Sequence, residues 1–146
     1  MLKKMNHLLA SGFYSGHLPL APGTWGSLLM VLLVFFFPIL NNIYFISALA
    51  IGGIAIANFE EQQTGIKDDS KIVIDEMAGQ LLAFYTLKTS IPVLIGGFAL
   101  FRLFDITKPW LIDKVQRLPA GWGVMLDDIL AGLTSLVILK IIILLI

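Results

Sequence analysis

The chain closes on Asp127-Asp128-Ile129-Leu130-Ala131-Gly132-Leu133-Thr134-Ser135-Leu136-Val137-Ile138-Leu139-Lys140-Ile141-Ile142-Ile143-Leu144-Leu145-Ile146, two acids followed by an apolar run whose one charge is Lys140. A run of this length meets the roughly 17–25 residues that a helix needs to cross a bilayer. Four more apolar segments precede it: Leu28–Leu40, Ile43–Ala57, Met77–Leu87 and Ile91–Phe101. The second reaches spanning length with Asn58 and Phe59, and the first does so if its helix begins near Thr24. The middle two are short, fitting either a tight helical hairpin inside a bundle or a re-entrant pair. Composition agrees, because 58% of the 146 residues are hydrophobic and 14% charged, against roughly 45–50% and 25% in soluble domains. So few polar residues cannot coat a small water-soluble fold. The expected fold is all-α, a polytopic membrane helix bundle of about four to five membrane helices, with residues 1–146 forming a single membrane-embedded domain. Cysteine is absent and formal net charge is zero, which excludes a disulfide scaffold and argues against a nucleic-acid partner.

The charges add a topology. If each segment reverses direction, all ten acids fall on one side: Glu60, Glu61, Asp68, Asp69, Asp75, Glu76, Asp105, Asp113, Asp127 and Asp128. Eight of the ten basic residues join them, leaving Lys88 and Lys140 elsewhere. A Lys/Arg excess in short loops marks the cytoplasmic face, and Trp25, Trp110 and Trp122 fall at its rim as interfacial aromatics do. Met1–Tyr14 reads as a helix lying on that surface, with Leu2, Met5, Leu8, Leu9 and Phe13 at helical spacing. It lacks the long apolar core of a cleaved signal peptide.

Three motifs gather at this face. Ala21-Pro22-Gly23-Thr24-Trp25-Gly26-Ser27 enters the first span; its glycines and free N–H groups suit an anion. Thr24 and Ser27 are hydroxyl donors for that anion or simply helix caps. Ile72-Val73-Ile74-Asp75-Glu76-Met77-Ala78-Gly79 sets two carboxylates before an apolar helix, more than a helix dipole requires at a boundary where desolvation is costly. Phe101-Arg102-Leu103-Phe104-Asp105-Ile106-Thr107-Lys108-Pro109-Trp110 supplies cations around an acid, and Gly121-Trp122-Gly123-Val124-Met125-Leu126-Asp127-Asp128 repeats the carboxylate pair at the mouth of a helix. Asp75, Glu76, Asp127 and Asp128 brought together would repel strongly, and a hard dication such as Mg²⁺ or Ca²⁺ is the simplest compensation. Arg102 and Lys108 beside them suit a phosphate. Together these are the parts of phosphoryl transfer.

Over about His7 to Lys140 the sequence resembles the phosphatidylglycerophosphatase A family of bacterial membrane lipid phosphatases. The marks are Gly16-His17-Leu18-Pro19-Leu20-Ala21-Pro22-Gly23-Thr24-Trp25-Gly26-Ser27 and the second and third motifs above, the last continuing through Ile129-Leu130-Ala131-Gly132. Leu111 stands where the family usually has proline, and the chain reads Ala120-Gly121-Trp122-Gly123 where two glycines are usual. The resemblance implies a Mg²⁺-dependent phosphatase hydrolysing phosphatidylglycerophosphate to phosphatidylglycerol and inorganic phosphate. It would be a multi-pass protein of the bacterial inner membrane that takes a phospholipid substrate from the bilayer, with its active site facing the cytoplasm. In this reading Asp75, Glu76, Asp127 and Asp128 hold Mg²⁺. Arg102 and Lys108 bind the phosphate with Gly23, Thr24 and Ser27, and Asp105 is either a general base or a nucleophile. His17 is a bystander or a proton donor. The rival readings are a small transporter or channel subunit, since ionisable residues at membrane depth often mark ion pathways, and a lipid phosphotransferase.

Overall fold

The computed structural model describes residues 1–67, 69–119 and 121–146. Asp68, counted above among the acids of one face, and Ala120 of the third motif lie outside the described residues. Seven α-helices and no strand occur among the described residues: α1 (Leu2–Ala10), α2 (Pro22–Phe36), α3 (Ile43–Thr64), α4 (Ile74–Ala83), α5 (Ile91–Thr107), α6 (Leu111–Gln116) and α7 (Gly121–Leu145). Short 3-10 turns at Ser15–His17 and Pro38–Leu40 complete the order.

Local chemistry sets several of these boundaries. Pro22, with φ already fixed and no N–H to satisfy, opens α2, and Phe37 ends it before Pro38. Asn42 caps α3 by accepting a hydrogen bond from the Phe45 N–H at 3.0 Å, and Gly65 closes that helix in the left-handed conformation. Three bounds differ from the sequence reading. The N-terminal helix stops at Ala10 because the chain turns at Ser11-Gly12, with Gly12 at φ 53°. α5 continues past Phe101 to Thr107, which puts Arg102 and Asp105 on the helix itself. α7 begins at Gly121, so Asp127 and Asp128 sit nearly two turns inside a helix and not at its mouth. Its two early glycines are needed for packing: a Cβ on Gly121 would meet the Ile54 carbonyl oxygen at 2.5 Å, and one on Gly123 the Leu118 carbonyl oxygen at 2.6 Å.

α4 is the central element, packed against α2, α3, α5 and α7 and buried along most of its length. Its far end is tied to the turn between α2 and α3, where Asn41 Nδ2 donates to the Phe84 carbonyl at 2.7 Å. Met30, Val34, Ile46, Met77, Leu81, Phe84 and Leu94 form the apolar core on that side. α4 and α7 cross closely. A Cβ on Gly79 would lie 2.5 Å from the Asp128 carbonyl oxygen, and one on Gly132 would collide with the Gly79 carbonyl.

Much of the outward surface is apolar while five carboxylates lie inside. Phe35, Phe36, Ile51, Ile95, Val137 and Ile141 are exposed, whereas Glu60, Asp75, Asp105, Asp127 and Asp128 are buried. α3 and α7 are each long and apolar enough to cross a bilayer, yet only 22% and 33% of their apolar windows are covered by the rest of the chain. The core helix of a water-soluble protein would be mostly covered. This inversion is what hydrocarbon solvent selects.

Candidate active site

The acidic and basic groups arrive in pairs on α4, α5 and α7, with Lys108 just past the end of α5. Asp75 and Glu76 occupy the first turn of α4, where the dipole favours negative charge. Arg102 and Asp105 lie three residues apart on α5, hence on one face, and Arg102 Nη1 donates to Asp105 Oδ2 at 2.5 Å. Lys108 follows the last turn of α5 in the left-handed region (φ 42°). That turn sends its side chain to α7, where Nζ donates to Asp127 Oδ2 at 2.5 Å.

Adjacent residues of a helix point about 100° apart, and this separates Asp127 from Asp128. Asp127 accepts from Lys108 and, through Oδ1, from the Asp128 backbone N–H at 3.0 Å. Asp128 turns toward α4, where ligand oxygens of Asp75, Glu76 and Asp128 lie within 4.8 Å of one another. Of the four carboxylates expected to share an ion, the structure brings these three into one cluster. The fourth, Asp127, is joined to Lys108.

Asp75 Oδ1, Glu76 Oε2 and Asp128 Oδ1 are buried without a hydrogen-bond partner, an expensive arrangement unless a cation is drawn in. The donors are all oxygen, the set that a hard dication prefers. Asp105 adds to the crowding, being an electrostatic neighbour of both Glu76 and Asp128. Lys108 answers it in part. Its partial burial works against the charged form, but Asp127, Asp128 and Asp105 together hold the ammonium above its ordinary pKa of 10.5.

The first motif meets the same cluster through its backbone. A Cβ on Gly23 would collide with the Glu76 carboxylate and come within 3.1 Å of Arg102 Nη1, so only glycine lets the start of α2 lie this close. The capping alternative for the hydroxyls is not realised, since Ala21 holds the N-cap position and no side chain caps the helix. Ser27 is buried and donates to the Gly23 carbonyl at 2.8 Å, while Thr24 is half-buried beside it. His17 points away from the carboxylates, its Nε2 lying 2.8 Å from Nε2 of His7. Sequence reasoning missed Gln80, one turn after Glu76, which is fully buried with both amide atoms unpartnered. A lone polar residue at helical spacing from an acid pair was the one signal available.

Carboxylates able to hold a cation, two further cations and a glycine-flanked helix start thus meet at one end of the bundle. A phosphate group placed there would find positive charge on two sides. Comparison with known proteins agrees. The family profile described as Phosphatidylglycerophosphatase A matches residues 8–143. A Bacteroides thetaiotaomicron protein provisionally named phosphatidylinositol-3-phosphatase is 39% identical, the alignment covering 92% of this chain and 91% of that one. Proteins named Phosphatidylglycerophosphatase A from Haemophilus influenzae and Escherichia coli are each 35% identical, covering 90% and 88% of this chain and 85% and 78% of theirs. No solved structure gives a significant match. With the profile running through all three motifs and nearly the whole chain, this protein belongs to the phosphatidylglycerophosphatase A family.

Proposed function

We propose that the protein is a lipid phosphatase that hydrolyses phosphatidylglycerophosphate to phosphatidylglycerol and inorganic phosphate. The observation that carries this reading is the convergence of Asp75, Glu76 and Asp128 with the Arg102–Asp105 and Lys108–Asp127 pairs beneath Gly23. Asp75, Glu76 and Asp128 would hold Mg²⁺, with Asp127 at its edge; the bound ion supplies neutralisation of charge on the phosphoryl oxygens. Arg102 and Lys108 bind and orient the terminal phosphate, and the backbone at Gly23, with the Thr24 and Ser27 hydroxyls, closes the remaining side. Asp105, held by Arg102, takes the proton from an attacking water; direct attack by its carboxylate is the alternative. Asp127 fixes the Lys108 ammonium in the position where it meets the substrate.

In the proposed topology residues 1–146 form one membrane-embedded domain. α2, α3, α5 and α7 cross, and α4 runs between them as the short limb of a hairpin whose tip lies beside Asn41. The carboxylate end faces the cytoplasm of a bacterial inner membrane, and α1 lies in its interface with Leu2, Met5 and Leu9 exposed to lipid. A phospholipid can then present its head group while its acyl chains stay among the helices.

The test is phosphate release by the purified protein from phosphatidylglycerophosphate and from phosphatidylinositol 3-phosphate, the second chosen because of the Bacteroides relative. Mg²⁺ should support release from the first, EDTA should stop it, and Arg102→Ala should lower kcat by about 10²-fold or more. Faster release from the inositol lipid would transfer the assignment to that substrate. Release from neither would overturn it.

A further inference from the structure

A second set of metal-ligating side chains lies apart from the carboxylate centre, on α1, the Ser15–His17 turn and α3. His7 Nδ1 lies 2.6 Å from Glu60 Oε1, and Asn6 Nδ2 donates to Glu60 Oε2 at 2.8 Å. Both oxygens of this buried carboxylate are therefore engaged, and Glu60 fixes His7 as the tautomer with its proton on Nδ1. The Nε2 lone pair of His7 is left pointing outward, and it meets Nε2 of His17 at 2.8 Å. One proton at most fits between two such nitrogens. The imidazoles are steadied by Tyr14, whose ring centroid lies 6.0 Å from that of His7 and 5.5 Å from that of His17. Beside them opens a cavity of about 400 Å³ lined by Lys3, Lys4, His7, Tyr14, Glu60 and Gln63.

We infer that His7 and His17 together bind a borderline transition-metal ion of the Zn²⁺ or Cu²⁺ class through their two Nε2 atoms, with Glu60 as the carboxylate that orients His7. Imidazole pairs favour these ions over Mg²⁺ and Ca²⁺, so the site and the oxygen-only cluster select different metals. A carboxylate accepting the far N–H of a ligating histidine is the usual support for such a ligand. Tetrahedral ligation with Zn–N bonds of about 2.05 Å needs the nitrogens about 3.3 Å apart, so the pair opens by roughly half an ångström. His17 shifts its proton to Nδ1 and no net charge is lost from either ring. The remaining coordination positions face the cavity, where water binds, and Lys3 and Lys4 at its edge favour an anion there.

The experiment titrates the full-length, tag-free protein in detergent with Zn²⁺ by calorimetry, with excess Mg²⁺ present to occupy the carboxylates. Cu²⁺ binding is followed in parallel by electron paramagnetic resonance. One ion per chain is expected, with nitrogen superhyperfine structure in the Cu²⁺ spectrum. His17→Ala should abolish both signals, and its exposed side chain makes the replacement harmless to folding. Glu60→Gln should weaken binding ~10–100-fold. Zn²⁺ binding by the His17→Ala protein equal to that of the wild type, or no binding by the wild type, would overturn the inference.

Discussion

Asp127 and Asp128 are neighbours in sequence that take different partners, and the helical turn between them is the reason. Asp127 faces Lys108 and Asp128 faces α4, so replacing one should not mimic replacing the other. Lys108→Met removes the cation that Asp127 faces, and Asp127→Asn leaves the ammonium an amide acceptor but no charge on it. The double variant removes both charges, and a stability cycle should give a favourable coupling of about 0.5–3 kcal/mol between them. Its pH dependence has a fixed sign. Lys108 titrates above its ordinary value in the folded protein, so the cationic half of the coupling is present below pH 10.5 and is lost as pH rises through the folded value, while protonation of Asp127 ends the coupling in acid. Melting temperatures of the four proteins at pH 7 and pH 9.5 should give equal couplings. At this scale the sequence was informative: Asp75, Glu76, Asp128, Arg102, Asp105 and Gly23 are brought together as their residue types and motif spacing suggested. It could not show which acid of the Asp127-Asp128 pair meets Lys108, because that depends on the angular position of α7.

The crossing of α4 and α7 positions the two halves of the carboxylate cluster. Gly79 and Gly132 let the helix backbones touch, each lying against the other helix. Gly132→Ala drives a methyl group into the Gly79 carbonyl and should destabilise the bundle by about 1–3 kcal/mol, read as a fall in melting temperature in detergent. Activity should fall further than stability, because the displaced helix carries Asp128. The start of α7 was hidden in the sequence for a related reason. Gly121-Trp122-Gly123 has poor intrinsic helix propensity and reads as loop, but the backbone of the α6–α7 connection and of α3 leaves no room there for larger residues. Tertiary packing overrode local preference. The early end of the N-terminal helix, by contrast, follows from Gly12, whose left-handed backbone is a local event within reach of sequence reasoning.

At the scale of the whole molecule, the alternation of apolar segments with charged loops leads one to expect the motif residues at a common end. The Gly23–Glu76–Arg102 and Lys108–Asp127 contacts place the starts of α2 and α4, the end of α5 and the early turns of α7 together. The sequence marked the central limb as short but not where its helix ends, because the apolar segment Met77–Leu87, interrupted by Gln80 and Thr86, runs past the last helical residue, Ala83. The turn that follows is held by Asn41, a partner forty-three residues away. α2 has a parallel consequence. Its fifteen residues rise only about 22 Å, some 8 Å short of the roughly 30 Å hydrocarbon thickness of a typical bilayer. On the proposed topology the surrounding leaflets must pinch inward to meet it, drawing phosphate head groups toward the carboxylate cluster. Vesicles of shorter acyl chain already match that dimple, so turnover at equal substrate density should rise as the host lipid is thinned. A rate indifferent to bilayer thickness would show that the membrane does not bend to this protein.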